Sequence, residues 1–227
     1  MNLLFDLINN NTVTKIQTNI EQMIIAGWAG RDHAAIEHHI EELAAIGVPR
    51  PSSVPLFYRV SNQLLTQDSI VQMVGNEGSG EVEVFVFMHN DQLLISLTSD
   101  HTDRGLETVS VALSKQVCSK PVGRQAWLFS DVAAHWDQLI IESYVYENGI
   151  QVLYQSGPLS ALLPPLDLIS RYTNKGTLPK GTAMSCGTVG TRGAIRPSPL
   201  FEMRLIDPVR KCELTHRYEV ELLDKVS

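Results

Sequence analysis

Glu81 and Glu83 stand two residues apart in Gly80-Glu81-Val82-Glu83-Val84-Phe85-Val86-Phe87. The interleaved Val and Phe residues favour a pleated, half-buried surface, so the segment predicts a β-strand. Residues two apart in a strand share a face, which sets the two carboxylates side by side with Phe85 and Phe87. Neighbouring carboxylates beside phenyl rings repel each other and lose hydration, and a bound cation removes the conflict. The turn-like Met88-His89-Asn90-Asp91-Gln92 and the apolar run from Leu93 predict a hairpin centred between Asn90 and Asp91. In that register His89 faces Gln92, Glu83 faces Thr98, and Glu81 faces Asp100, so a third carboxylate joins the patch. Three carboxylates with no cation in the local sequence suit a hard divalent ion, Mg²⁺ or Mn²⁺, bound through oxygen. The alternative is an exposed sheet face whose acids are solvated.

Water at neutral pH needs a base before it can attack a carbonyl, and a His held by a carboxylate is the usual one. His33 and Glu37 lie one turn apart on a predicted helix that Asp32 caps and Gly47 ends. His38 with Glu41 is the competing pair. Ile36, Ile40 and Leu43 form the packing stripe of this helix, and the glycines before it suit a lid. Lys115 and Arg104 are candidate partners for an anionic substrate. Gly187 and Thr188 offer backbone N–H and hydroxyl donors.

The elements that must hold these groups are mostly strands. A weakly alternating opening predicts a hairpin around Asn9-Asn10-Asn11. Asn148-Gly149 joins the clearest strand pair, and 130–139 predicts a short amphipathic helix capped by Ser130. A broken helical region surrounds Pro164-Pro165, and two strands near the C-terminus meet at Asp207-Pro208. One α+β, mostly β domain over 1–227 follows, with a lid-bearing segment over 1–60 and a metal-binding β-roll over 61–227.

Composition narrows the class. A net charge of −7 with no long basic cluster argues against nucleic acid as a partner. Cys118, Cys186 and Cys212 are far apart and odd in number, which predicts buried thiols in a cytoplasmic protein. The N-terminus lacks the basic and apolar regions of a signal peptide, and no apolar stretch is long enough for a bilayer.

The ordered motifs over 25–222 resemble the fumarylacetoacetate hydrolase superfamily, and the Gly27-Trp28-Ala29-Gly30-Arg31-Asp32 wording resembles a bacterial branch catalogued as a domain of unknown function. The resemblance implies that Glu81, Glu83 and Asp100 (in Ser99-Asp100-His101-Thr102-Asp103-Arg104) are the metal ligands, and that Lys115 is the family lysine. Pro179-Lys180-Gly181-Thr182 and Cys186-Gly187-Thr188-Val189 match its late glycine motifs. The upstream Asn-Tyr pair is replaced here by Ala29-Gly30, and the His-x-x-Glu spacing by His33-x-x-x-Glu37. The resemblance further implies a mixed β-roll, a homodimer, and a metal-dependent hydrolase that cleaves a carbon–carbon bond in a 2-oxo or β-diketo acid such as an acylpyruvate. Water attack would leave an enolate that the metal stabilises. Decarboxylation or tautomerisation through the same enolate is the nearest alternative. A non-catalytic metal-dependent binder of small ligands is another.

Overall fold

The computed structural model describes residues 1–9, 12–45 and 47–226, without the side chain of His39. The turn residues Asn10 and Asn11 of the opening hairpin therefore lie outside the described residues, but its strands, Asn2–Asn9 and Thr12–Asn19, pair antiparallel. They begin an eight-stranded sheet, whose order continues through Gln125–Leu128, Gln92–Ser99, Val82–His89, Thr182–Ser185, Gln22–Gly27 and Leu56–Val60. A five-stranded sheet runs in the order Ile150–Pro158, Ile140–Glu147, Leu200–Asp207, Cys212–Leu223 and Ile70–Val74.

The expected acidic hairpin has the expected register. Glu83 opposes Thr98 and His89 opposes Gln92. Asn90 and Asp91 take positive φ of 48° and 62°, the left-handed pair that a tight two-residue hairpin requires. Beyond the last strand pair, the Asp100 N–H donates to the Glu81 carbonyl at 3.0 Å, which extends the register to the third carboxylate.

The Val82–His89 strand is more deeply buried than its sequence suggests, because both of its faces are covered. Val82, Val84 and Val86 pack toward Met203, Leu205 and Tyr218 of the five-stranded sheet. Phe85 and Phe87 pack on the other face with Leu3, Phe5, Met23, Ile25, Tyr58 and Val60, all from the same eight-stranded sheet. That sheet curls around its own inner face, and Phe5 stacks on Phe87 with ring centroids 4.4 Å apart. Glu83 shares the parity of Phe85 and Phe87, so it stands on the inner side at the end of this apolar filling.

Helices are few. The first, α1, spans His33–Ala45, with the Asp32 carboxylate accepting from the N–H groups of Ala34 and Ala35 at 2.9 and 3.1 Å. Ile36 and Ile40 are buried and Leu43 is half-buried, as the stripe predicted. Two short helices follow the acidic hairpin: α2, Arg104–Glu107, capped by Asp103, and α3, Val111–Gln116, capped by Ser110. The last, α4, is Pro165–Thr173. The helix expected over 130–139 is instead a pair of 3₁₀ turns, Phe129–Asp131 and Ala133–Gln138, and Ser130 does not cap them. Non-helical angles at His135 break the run before a full α-helical turn can form. No helix among the described residues is long and apolar enough to cross a membrane.

Candidate metal centre

The short Thr102–Asp103 strand pairs with Gly78–Ser79, so the chain turns back immediately after Asp100. That reversal brings α2 and α3 against the acidic strand end. Glu81, Glu83 and Asp100 converge there, with one oxygen from each lying within 4.8 Å of the others. Glu83 and Asp100 are buried and Glu81 is half-buried. An all-carboxylate donor set of this size suits a hard divalent cation. One lone pair also points to the same fit: Asp100 Oδ1 is buried without a hydrogen bond, although Lys120 Nζ lies 3.2 Å from it.

The patch is not without cations, contrary to the local sequence. Lys115 Nζ lies 2.5 Å from Asp100 Oδ2 and 3.9 Å from Glu81 Oε2. The fully buried Lys120 also donates to the His101 carbonyl at 2.5 Å. Arg104 donates to Glu81 at 2.9 Å, to Glu107 at 2.9 Å, and through Nε to Ser79 Oγ at 2.7 Å. Lys115 and Arg104 sit on helices, not on exposed strands. Lys120 escaped the sequence reading because its place is set by the pairing of Lys120–Pro121 with Leu65–Thr66, far upstream.

These charges settle each group differently. Burial, reinforced by Asp100, pushes the Glu83 carboxyl up to about 8. Burial pushes Asp100 upward as well, but Lys115 and Lys120 outweigh it and hold the carboxyl below its ordinary value. Lys115 is disfavoured by burial yet raised overall by Asp100 and Glu81, so it stays protonated. His101 faces away from the carboxylates, against the Tyr218 hydroxyl at 3.1 Å, and burial lowers it to about 3.

The carboxylates and Lys115 form part of the wall of a cavity of about 660 Å³. Much of the remaining wall comes from 26–32, from α1, from the 160–162 turn and from the loop after Cys186, with Tyr58, Gln155 and residues of α2 and α3. Gly187 has φ +85°, and a Cβ there would meet the Ala29 Cβ at 2.8 Å. Its N–H donates to Glu83 Oε2 at 3.1 Å. The Thr188 hydroxyl donates to the Val82 carbonyl at 2.6 Å and accepts from Gln155 Nε2 at 2.8 Å. Gln155 Oε1 in turn accepts from Val82 N–H and from Ser143. Arg104, Gly187 and Thr188 line the cavity as expected, but their recorded donors are committed to the protein's own groups.

The expected base pairs are placed less favourably. The cap Asp32 and, on α1, Ala35, Ile36 and Leu43 line the cavity, and His33, Glu37, His38 and Glu41 do not. His33 is exposed, and Glu37 pairs with Arg50 instead of His33. His38 meets Glu42 at 3.3 Å, not Glu41. His33 stands three and seven residues before Ile36 and Ile40, on their stripe, but as the first residue of α1 it lies at the exposed end of the helix, while Glu37 is exposed on the flank.

A family model described as "Protein of unknown function (DUF2848)" matches residues 26–218. The chain belongs to the DUF2848 family. No curated protein matches it in sequence. Solved structures share its fold at low identity. A 2-keto-3-deoxy-D-arabinonate dehydratase complexed with magnesium and 2,5-dioxopentanoate is 14% identical, covering 96% of this chain and 79% of that one at a TM-score of 0.65. Cg1458 with an inhibitor is 16% identical, covering 93% and 80% at 0.62. The 4-oxalocrotonate decarboxylase from Pseudomonas putida G7, complexed with magnesium and adipate, is 14% identical, covering 91% and 78% at 0.55. The DUF2848 chain therefore shares the mostly β fold of these solved structures.

Proposed function

We propose that this DUF2848 protein is a divalent-metal-dependent enzyme that acts on a 2-oxo acid. The observation that carries the reading is the convergence of Glu81, Glu83 and Asp100 in the wall of a cavity, with a protonated Lys115 beside them. The three carboxylates would hold Mg²⁺ or Mn²⁺, which supplies a Lewis acid for the oxo and carboxylate oxygens of the substrate. The neighbours solved with magnesium support the same choice of ion, and the one that also holds 2,5-dioxopentanoate supports an oxo compound as ligand.

The chain's own residues do the rest. Arg104 fixes Glu81 through their ion pair, and the Gly187 N–H fixes Glu83. Lys115 places a positive charge where negative charge develops on the substrate, and it holds a proton on Nζ for delivery. Gln155 and Thr188 lock the loop after Cys186 to the first residue of the acidic strand.

Hydrolytic cleavage of a β-diketo acid requires a base for water, and this reading gives that role to His33 with Glu37 once α1 turns inward. Decarboxylation or tautomerisation is favoured by a different observation: among the described residues no histidine side chain lines the cavity, while Lys115 is already in place. A panel of 2-oxo and β-diketo acids, assayed with Mg²⁺ and with EDTA, tests the common reading. Turnover that EDTA abolishes is expected, and no turnover or binding across the panel would refute it. His33→Ala then separates the reactions. A fall in kcat of about 10²–10⁴-fold at unchanged KM supports hydrolysis, and full activity supports the alternative.

A further inference from the structure

The cavity has two kinds of wall. Beside the carboxylates, Ala29 closes against Gly187, whose N–H holds Glu83. The lining also includes Trp28, Ile36, Leu43, Leu162, Val189 and Ile195, and apolar atoms dominate the surface as a whole. The cations of the lining are Arg31, Arg104 and Lys115. Each is already neutralised by the protein. Arg31 forms two hydrogen bonds to Asp137, at 2.9 and 2.5 Å, and its Nε donates to the Leu162 carbonyl at 2.6 Å. Arg104 is tied to Glu81 and Glu107, and Lys115 to Asp100 and Glu81. Among the described residues of the wall, none offers an uncommitted positive charge to a second anionic group.

A buried carboxylate without a cationic partner is strongly disfavoured, whereas each buried methylene is favourable. We infer that the ligand of this cavity is a monocarboxylate 2-oxo acid with an apolar tail, and that dicarboxylates of the same length are rejected. The inference rests on the 2-oxo-acid reading above: the tail is what reaches past the chelating end. Trp28, Ile36 and Leu162 act as specificity residues by contact with the tail.

The test is titration calorimetry on the magnesium-loaded full chain with oxalate, 2-oxobutanoate, 2-oxohexanoate and 2-oxoadipate. Affinity is expected to rise about threefold to fourfold per added methylene from 2-oxobutanoate to 2-oxohexanoate. The equally long 2-oxoadipate is expected to bind at least tenfold more weakly than 2-oxohexanoate. Equal affinity for those two, with oxalate binding intact, overturns the apolar-tail inference and leaves the 2-oxo-acid reading standing. No binding by any of the four, oxalate included, overturns both. A second variant addresses the cause. Ala35 is exposed on α1 and lines the cavity, so Ala35→Arg adds a free cation at a helix position that tolerates arginine. The folded variant is expected to gain about tenfold in affinity for 2-oxoadipate, the scale of one charged hydrogen bond, with 2-oxobutanoate unchanged. An unchanged 2-oxoadipate affinity in that variant overturns the account of why dicarboxylates are excluded.

Discussion

At the residue scale, Glu83 decides how the centre responds to ions and protons. It is buried and faces Asp100, with Lys115 nearest to Asp100 rather than to it. Magnesium at a hundred times its Kd is expected to stabilise the wild type by about 2.7 kcal/mol, read as a rise in Tm. Glu83→Gln is expected to abolish that rise and to make the metal-free protein more stable at pH about 8, since the amide removes a buried charge and keeps an acceptor for Gly187. The pH dependence carries a definite sign. The folded carboxyl titrates at about 8, above the ordinary value of about 4.3. Between those limits the folded protein holds a proton that the unfolded chain has released. Its contribution to metal-free stability is therefore fully present at low pH and is lost as pH rises toward about 8. Magnesium competes with that proton, so the gap between Tm with magnesium and Tm with EDTA should widen from about pH 5 to about pH 8. A gap that stays constant across this window would show that Glu83 is ionised without the metal. The convergence of the three carboxylates was legible in the sequence because strand parity and one hairpin register are local rules. Lys115 and Arg104 were legible as cations for a substrate, but their ion pairs with Asp100 and Glu81, and the part of Lys120, were not, since these contacts form only after the chain reverses at 102–103.

At the scale of elements, α1 is a thinly attached part of the cavity wall. Of its described residues only Ile36 and Ile40 are buried, and its start depends on the Asp32 cap. Few buried apolar groups mean a low free energy of local opening. Asp32→Ala is expected to cost about 1 kcal/mol in helix stability, seen as faster hydrogen exchange across α1 with little change in the urea midpoint of the whole protein. If exchange in α1 already matches that of the central sheet and does not respond to the substitution, the helix is not a separable wall. The existence, cap and packing stripe of α1 were readable from residue spacing. That His33 and His38 stand outside the cavity wall was not, because it depends on where α1 docks in the tertiary fold and not on residue spacing. The 130–139 segment was misread for a related reason: its apolar spacing suits a helix, but its angles at His135 do not sustain one.

At the scale of the molecule, the eight-stranded sheet is held in its curl by aromatic contacts across its own interior. Phe5, from the first strand, stacks on Phe87, three strands away in sheet order. Phe5→Ala is expected to cost about 3–5 kcal/mol, measured as a lower urea midpoint at an unchanged slope. A cost below about 1 kcal/mol, the scale of an ordinary surface change, would mean that the first hairpin is an appendage to the sheet. The overall β content was legible from the run of strand signals. The double burial of the acidic strand was not, since it depends on how far the sheet closes on itself. The remote tip of the five-stranded sheet has a practical consequence. Asn148 and Gly149 turn back at φ of 52° and 79°, both are exposed, and neither lines the cavity. Such a tip is where a chain accepts foreign sequence, so a reporter peptide grafted between these two residues should leave the magnesium-dependent rise in Tm intact and give the protein a handle for tethering to a surface.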